Sequence, residues 1–156
     1  MSKVLENLID EITTLHDQYR FEEDGLGGYL LFFNGAAPIN IFIDHLSGQT
    51  HLLASVGRLS ADHATSLSPS DQDQQPAREW FEFTIDDHPS ALRMHHALGR
   101  VLLDSWANIA ELNLVTFGNW IQKFISKLEE WSRIFSSDIY QESPMASHIF
   151  TNIRFI

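Results

Sequence analysis

Eight histidines and two acidic runs are the residues of this 156-residue chain whose types and spacing first suggest chemistry. The densest histidine cluster is His88, His95 and His96, with Asp86 and Asp87 beside it. A helical zinc site wants histidines at i and i+4 with a third ligand from elsewhere. Adjacent helical residues diverge by about 100°, so His95 and His96 serve one ion poorly, and no H-E-x-x-H occurs. The cluster reads as exposed polar residues, a His-dependent metalloenzyme being the lesser alternative. Glu22-Glu23-Asp24 and Asp86-Asp87 have the chemistry of general acids or calcium ligands. Neither follows the EF-hand spacing, and both sit where elements end. Gly25-Leu26-Gly27-Gly28 leads into a strand and lacks the Gly-Lys-Ser/Thr that completes a phosphate loop. There is no G-x-S-x-G elbow. Cysteine is absent, which removes thiol nucleophiles, disulfides, thiolate zinc sites and iron–sulfur clusters. The residues predict no enzyme, no metal and no cofactor.

Charge narrows the partners. Ten basic against 21 acidic side chains leave a formal charge of −11. Phosphate backbones and anionic membranes need clustered Lys and Arg, so a nucleic-acid or membrane binder is disfavoured. The start, Met1 to Glu6, lacks the apolar run of a signal peptide, and no stretch reaches the ~20 apolar residues of a membrane span. A single domain over residues 1–156 in the cytoplasm is expected, because domains typically run to ~100–150 residues.

The elements that must position any site follow from periodicity. Val4, Leu5, Leu8, Ile9, Ile12, Leu15 and Tyr19 repeat at steps of three and four, which predicts an N-terminal helix. Tyr29 to Phe33, then Ile39 to Ile43, then Leu52 to Val56 read as three short strands in an antiparallel meander. Ser60 to Glu79 is rich in Ser, Asp, Gln and Pro, and it predicts a mobile, dispensable loop. Trp80 to Ile85 and Arg100 to Ile109 alternate as two further strands, while Ser90 to Leu98 is ambiguous and reads as a possible short helix. Phe117, Trp120, Ile121, Phe124, Ile125, Leu128, Trp131 and Phe135 form the apolar stripe of a long C-terminal helix, with Thr116 as its N-cap. The tail, residues 137–156, is apolar enough to dock. The expected fold is α+β: an antiparallel sheet of about five strands with both helices on one face.

Two helices cover one face of such a sheet, yet the strands carry large apolar residues on both. Ile39, Ile41 and Ile43 suffice to face the helices, so Phe42 points the other way, and Leu30 and Phe32 lie on the neighbouring strand. An exposed aromatic face marks an interface. Leu30, Phe32 and Phe42 are therefore expected to take an extended partner segment, and Trp80, Phe83 and Trp106 to form a homodimer interface. An acidic immunity or antitoxin-like protein that neutralises a toxin is an alternative.

The order helix, three-strand meander, two strands, long helix resembles the class I chaperones of bacterial type III secretion, the Tir-chaperone (CesT-like) family. Lys3-Val4-Leu5-Glu6-Asn7-Leu8-Ile9-Asp10 carries the likeness, as do Leu52 to Leu59, Gly99 to Leu103 and Leu112 to Phe117 with the helix after it. That last stretch looks most like the family member that also acts as an anti-anti-activator of secretion genes. The resemblance implies a small acidic homodimer in the bacterial cytoplasm. It implies binding of the N-terminal segment of a secreted effector or regulator in extended form, without catalysis. The family also places a helix between the third and fourth strands, where this chain has Ser60 to Glu79.

Overall fold

The computed structural model describes residues 3–58, 78–95 and 99–136. Helix α1 spans Lys3–Leu15, and strands β1 (Arg20–Glu23), β2 (Tyr29–Phe32), β3 (Ile39–Ile43) and β4 (Gln49–Arg58) follow. Strands β5 (Arg78–Ile85), β6 (His88–His95) and β7 (Arg100–Asn108) come next, then a 3-10 turn at Ile109–Glu111 and helix α2 (Leu114–Ser136). The seven strands form one antiparallel sheet in the order β1-β2-β3-β4-β7-β6-β5. Sheet and helices make the α+β fold that the periodicity predicts, with two strands more than expected.

Both extra strands have local causes. Strand β1 is short, and Phe21 is its one inward apolar residue, so alternation alone did not reveal it. The β5–β6 connection is a two-residue turn, Asp86-Asp87, with φ of 52° and 65°. Positive φ at both central positions is the type I′ geometry that matches the twist of paired strands. Asp86-Asp87 therefore joins two strands, and residues 90–95 of the stretch read as a possible helix belong to β6, His88–His95, while 96–98 lie outside the described residues. The expected loop ends earlier too, since Arg78 and Glu79 already belong to β5. The remainder of that loop, and the tail 137–156, lie outside the described residues.

One face of the sheet is buried under the helices. From α1 come Leu5, Leu8, Ile9 and Ile12. From α2 come Phe117, Trp120, Ile121, Phe124, Leu128 and Phe135, all at most 5% exposed. Leu31, Ile39, Ile41, Leu52, Val56, Leu92, Val101 and Leu103 meet them from the sheet. The N-cap of α2 is Asn113, not Thr116. Asn113 Oδ1 accepts from the Thr116 N–H at 3.0 Å, and Thr116 Oγ1 accepts from the Asn113 N–H at 2.8 Å, a reciprocal box that satisfies two donors. The polar atoms the core admits are mostly paired: Trp120 Nε1 donates to Ser105 Oγ at 2.9 Å, and Ser105 Oγ donates to the Pro89 carbonyl at 3.2 Å.

Two devices hold α2 against the sheet. Lys123 Nζ reaches Asp86 Oδ1 at 2.8 Å, tying the β5–β6 turn to the helix, and that carboxylate raises the lysine pKa. At the other end Gly57 lies under Phe135. A Cβ on Gly57 would stand 2.7 Å from Phe135 Cβ, so only glycine admits the helix this close. The site is also a β-bulge: the register with β7 shifts between Ser55 and Gly57.

Candidate partner-binding face

Alternation sends every second strand residue to the face away from the helices. Leu30 and Phe32 of β2, Asn40 and Phe42 of β3, and His51, Leu53 and Ser55 of β4 lie there, all half-buried. Leu102, Asp104 and Trp106 of β7 and Arg93 and His95 of β6 continue the face. Register aligns them in rows across the strands. One row runs Phe42, His51, Trp106; the next runs Leu30, Asn40, Leu53, Asp104, Ala91. Among the described residues no helix covers this face.

The first row is a stack. The Phe42 and His51 rings are 5.1 Å apart and within 3° of parallel, and His51 and Trp106 follow at 5.9 Å. Asp104, 5% exposed, sits beneath it. Its carboxylate accepts from His51 Nδ1 at 2.8 Å and from Arg93 Nε at 3.0 Å, and the Arg93 guanidinium stands 5.4 Å from the centre of the Trp106 ring. A buried carboxylate persists only when paired, and here two donors flank it. Donation from Nδ1 leaves Nε2 of a neutral His51 as the lone-pair nitrogen. On the opposite side of the strip Arg20 covers Phe32 at 4.6 Å. The result is an apolar strip whose side chains are held by stacking and ion pairs.

The three residues expected to take a partner segment, Leu30, Phe32 and Phe42, share this face. The edge beside them is not free: β1 pairs along β2, so the open edges of the sheet are β1 and β5. The expected dimer trio is split. Trp106 lies on the outer face, whereas Phe83 packs against the core under the helices, because β5 alternates it with Glu82 and Thr84. Trp80 lies in β5, and its side chain is outside the described residues.

The histidines separate as well. His88 rests on Trp120 at 4.9 Å on the helix face, while His95 falls on the outer face of the same strand, so the two cannot share an ion. His96 lies outside the described residues. Of the acidic runs, Asp86 pairs with Lys123, and Asp24 Oδ1 accepts from the Leu26 and Gly28 N–H groups at 2.7 and 2.9 Å, closing the β1–β2 turn.

His51, Arg93 and Asp104 escaped the sequence reading. Each interrupts an apolar alternation, which is the signal that was available. The His51–Asp104 pair joins residues 53 positions apart and appears only once β4 meets β7, and Arg93 reaches the same carboxylate from β6.

The architecture is similar to that of a chain in the HopA1–SchA chaperone–effector complex, with a TM-score of 0.56 at 8% identity, over 83% of this chain and 94% of that one. No protein-family model matches the sequence, and no curated protein matches it significantly.

Proposed function

We propose that this chain is a type III secretion chaperone, which binds the N-terminal segment of a secreted effector or regulator in extended form and keeps it soluble for export. The observation that carries the reading is the half-buried strip of Leu30, Phe32, Phe42 and Leu53 on the face away from the helices. The likeness in fold to a chain from a chaperone–effector complex supports it. An extended segment offers side chains to such a strip and main-chain donors to an open edge, of which β1 is the nearer. The arrangement suits occupancy: the His51–Asp104 pair lies in an aromatic stack, and among the described residues no hydroxyl nucleophile is bonded to it. In this reading the protein acts by occupancy in the bacterial cytoplasm and works as a homodimer, with Trp106 as an interface residue.

The test is retention of a partner. The N-terminal segment of the protein encoded beside this one is co-expressed with wild type and with Phe42→Asp. Burying one large side chain contributes ~1.5–3 kcal/mol, so the variant should bind at least about tenfold more weakly. Its circular dichroism should match wild type, since Phe42 faces away from the core. Unchanged affinity removes Phe42 from the site. Failure of wild type to hold the segment in solution overturns the chaperone reading.

A further inference from the structure

The chain has only ten basic side chains, and two of them face each other directly across neighbouring strands. Arg58 closes β4 and Arg100 opens β7, and the register pairs them. Both lie on the outer face. Gly57 points toward Phe135 and α2, so Arg58 points away, and Arg100 Nη1 donates to the outward Ser55 Oγ at 3.2 Å. Like charges directly opposite on paired strands destabilise a sheet. In a chain of net charge −11 an acidic neighbour would be easy to supply. Among the described residues, however, no carboxylate lies within ion-pair distance of Arg58 or Arg100. Arg58 is exposed and Arg100 half-buried, and among the described residues the one side-chain bond they make is that of Arg100 to Ser55.

Their position relative to the apolar strip gives this meaning. Moving along β4 from the Phe42–His51 row, the outer face passes Leu53, then Ser55 beside Leu102, and ends at Arg58 beside Arg100. We propose that Arg58 and Arg100 are an anion-recognising end of the partner-binding face, which takes an acidic side chain of the extended segment lying on the strip. Planar guanidinium groups suit a carboxylate in this role. The surrounding negative charge sharpens it, because an acidic residue of the partner is repelled elsewhere and settled here, which fixes the direction and register of the bound segment. This inference rests on the chaperone reading of the face and adds the chemistry of the partner.

The experiment uses full-length protein and two labelled, unstructured peptides of alternating leucine and serine. One ends in Asp-Asp and the other in Asn-Asn. Binding is followed by fluorescence anisotropy at low and high salt. Wild type should prefer the Asp-Asp peptide by about fivefold at low salt, as expected for a partly exposed ion pair. The preference should vanish at high salt and in the double variant Arg58→Gln/Arg100→Gln, while Phe42→Asp should weaken both peptides alike. Without peptide, the double variant should melt at the same temperature as wild type or higher, because a like-charge pair has been relieved. Equal binding of the two peptides by wild type overturns the proposal and leaves the chaperone reading standing. A preference that persists in the double variant overturns it too. A lowered melting temperature shows that the arginines serve a contact within the chain, and also overturns it. Failure of both peptides to bind counts instead against the face as a segment-binding surface, and the proposal falls with it.

Discussion

At the scale of the residue, Asp104 concentrates the electrostatics of the outer face. Its carboxylate is nearly buried and holds both His51 and Arg93. Removing one partner of a buried ion pair costs more than the pair contributes, because the remaining charge is left desolvated. Asp104→Asn keeps the shape and one acceptor but loses the charge, and about 1.5–3 kcal/mol of stability should go with it in urea denaturation. A loss under about 0.5 kcal/mol would mean that water already serves Arg93 and His51. Asp44 makes a contrasting case at the surface. It accepts from the Leu46 N–H at 3.0 Å and from Ser47 Oγ at 3.0 Å, and these bonds hold its pKa below the ordinary 3.8. A carboxylate with a lowered folded pKa contributes stability above its unfolded pKa and loses it as pH falls through the folded value. Wild type and Asp44→Ala should therefore differ most in stability near neutral pH, and the difference should shrink below about pH 4. A constant difference down to strongly acid pH would assign the effect to turn geometry instead of charge.

At the scale of the element, the decisive contact is that of α2 with the bulged end of β4. The stripe from Phe117 to Phe135 lays the helix across the sheet, and Gly57 allows its last turn to touch the strand backbone. Gly57→Ala places a methyl group where Phe135 Cβ already stands, and overpacking of this kind typically costs about 1–3 kcal/mol. Phe135→Ala should not rescue it, since alanine retains the offending Cβ. The two losses should add in thermal or urea unfolding, and a rescue would show that the phenyl ring, not the backbone approach, sets the spacing. The same contact aims the proposed site: the bulge and the inward Gly57 leave Arg58 on the outer face, opposite Arg100.

At the scale of the whole molecule, the described residues place helices on one side of a seven-stranded sheet, and large apolar side chains lie half-buried on the other. A second copy and an extended partner both suit such a face. Light scattering at micromolar concentration should give twice the 17.8 kDa chain mass. Trp106→Asp should shift the protein toward monomer with its circular dichroism intact. A strictly monomeric wild type would count against the chaperone reading, and an unaffected variant would move the interface elsewhere, such as to the open edge β5.

The chain's periodicities determined both helices and the inward faces of the strands, because alternation and helical spacing are written in neighbouring residues. Phe42 was legible as outward for the same reason, since three isoleucines on β3 already face the helices, whereas the register of β2 on β3 placed Leu30 and Phe32 beside it. Composition excluded thiol chemistry, through the absence of cysteine. Tertiary structure alone decided the rest. Strand β1 forms because β2 offers an edge, not because Arg20–Glu23 has a pattern of its own. The segment read as a possible helix became β6 because two aspartates accept positive φ and turn β5 straight back beside it. Phe83 and Trp106, both expected at one interface, lie on opposite faces, since register decides which residues share a face. The Asp104 network and the Arg58–Arg100 pair have the same origin. The His51–Asp104 bond of that network and the arginine pair each join strands β4 and β7, which are adjacent in the sheet and more than 40 residues apart in the chain, and no local pattern encodes such a pairing.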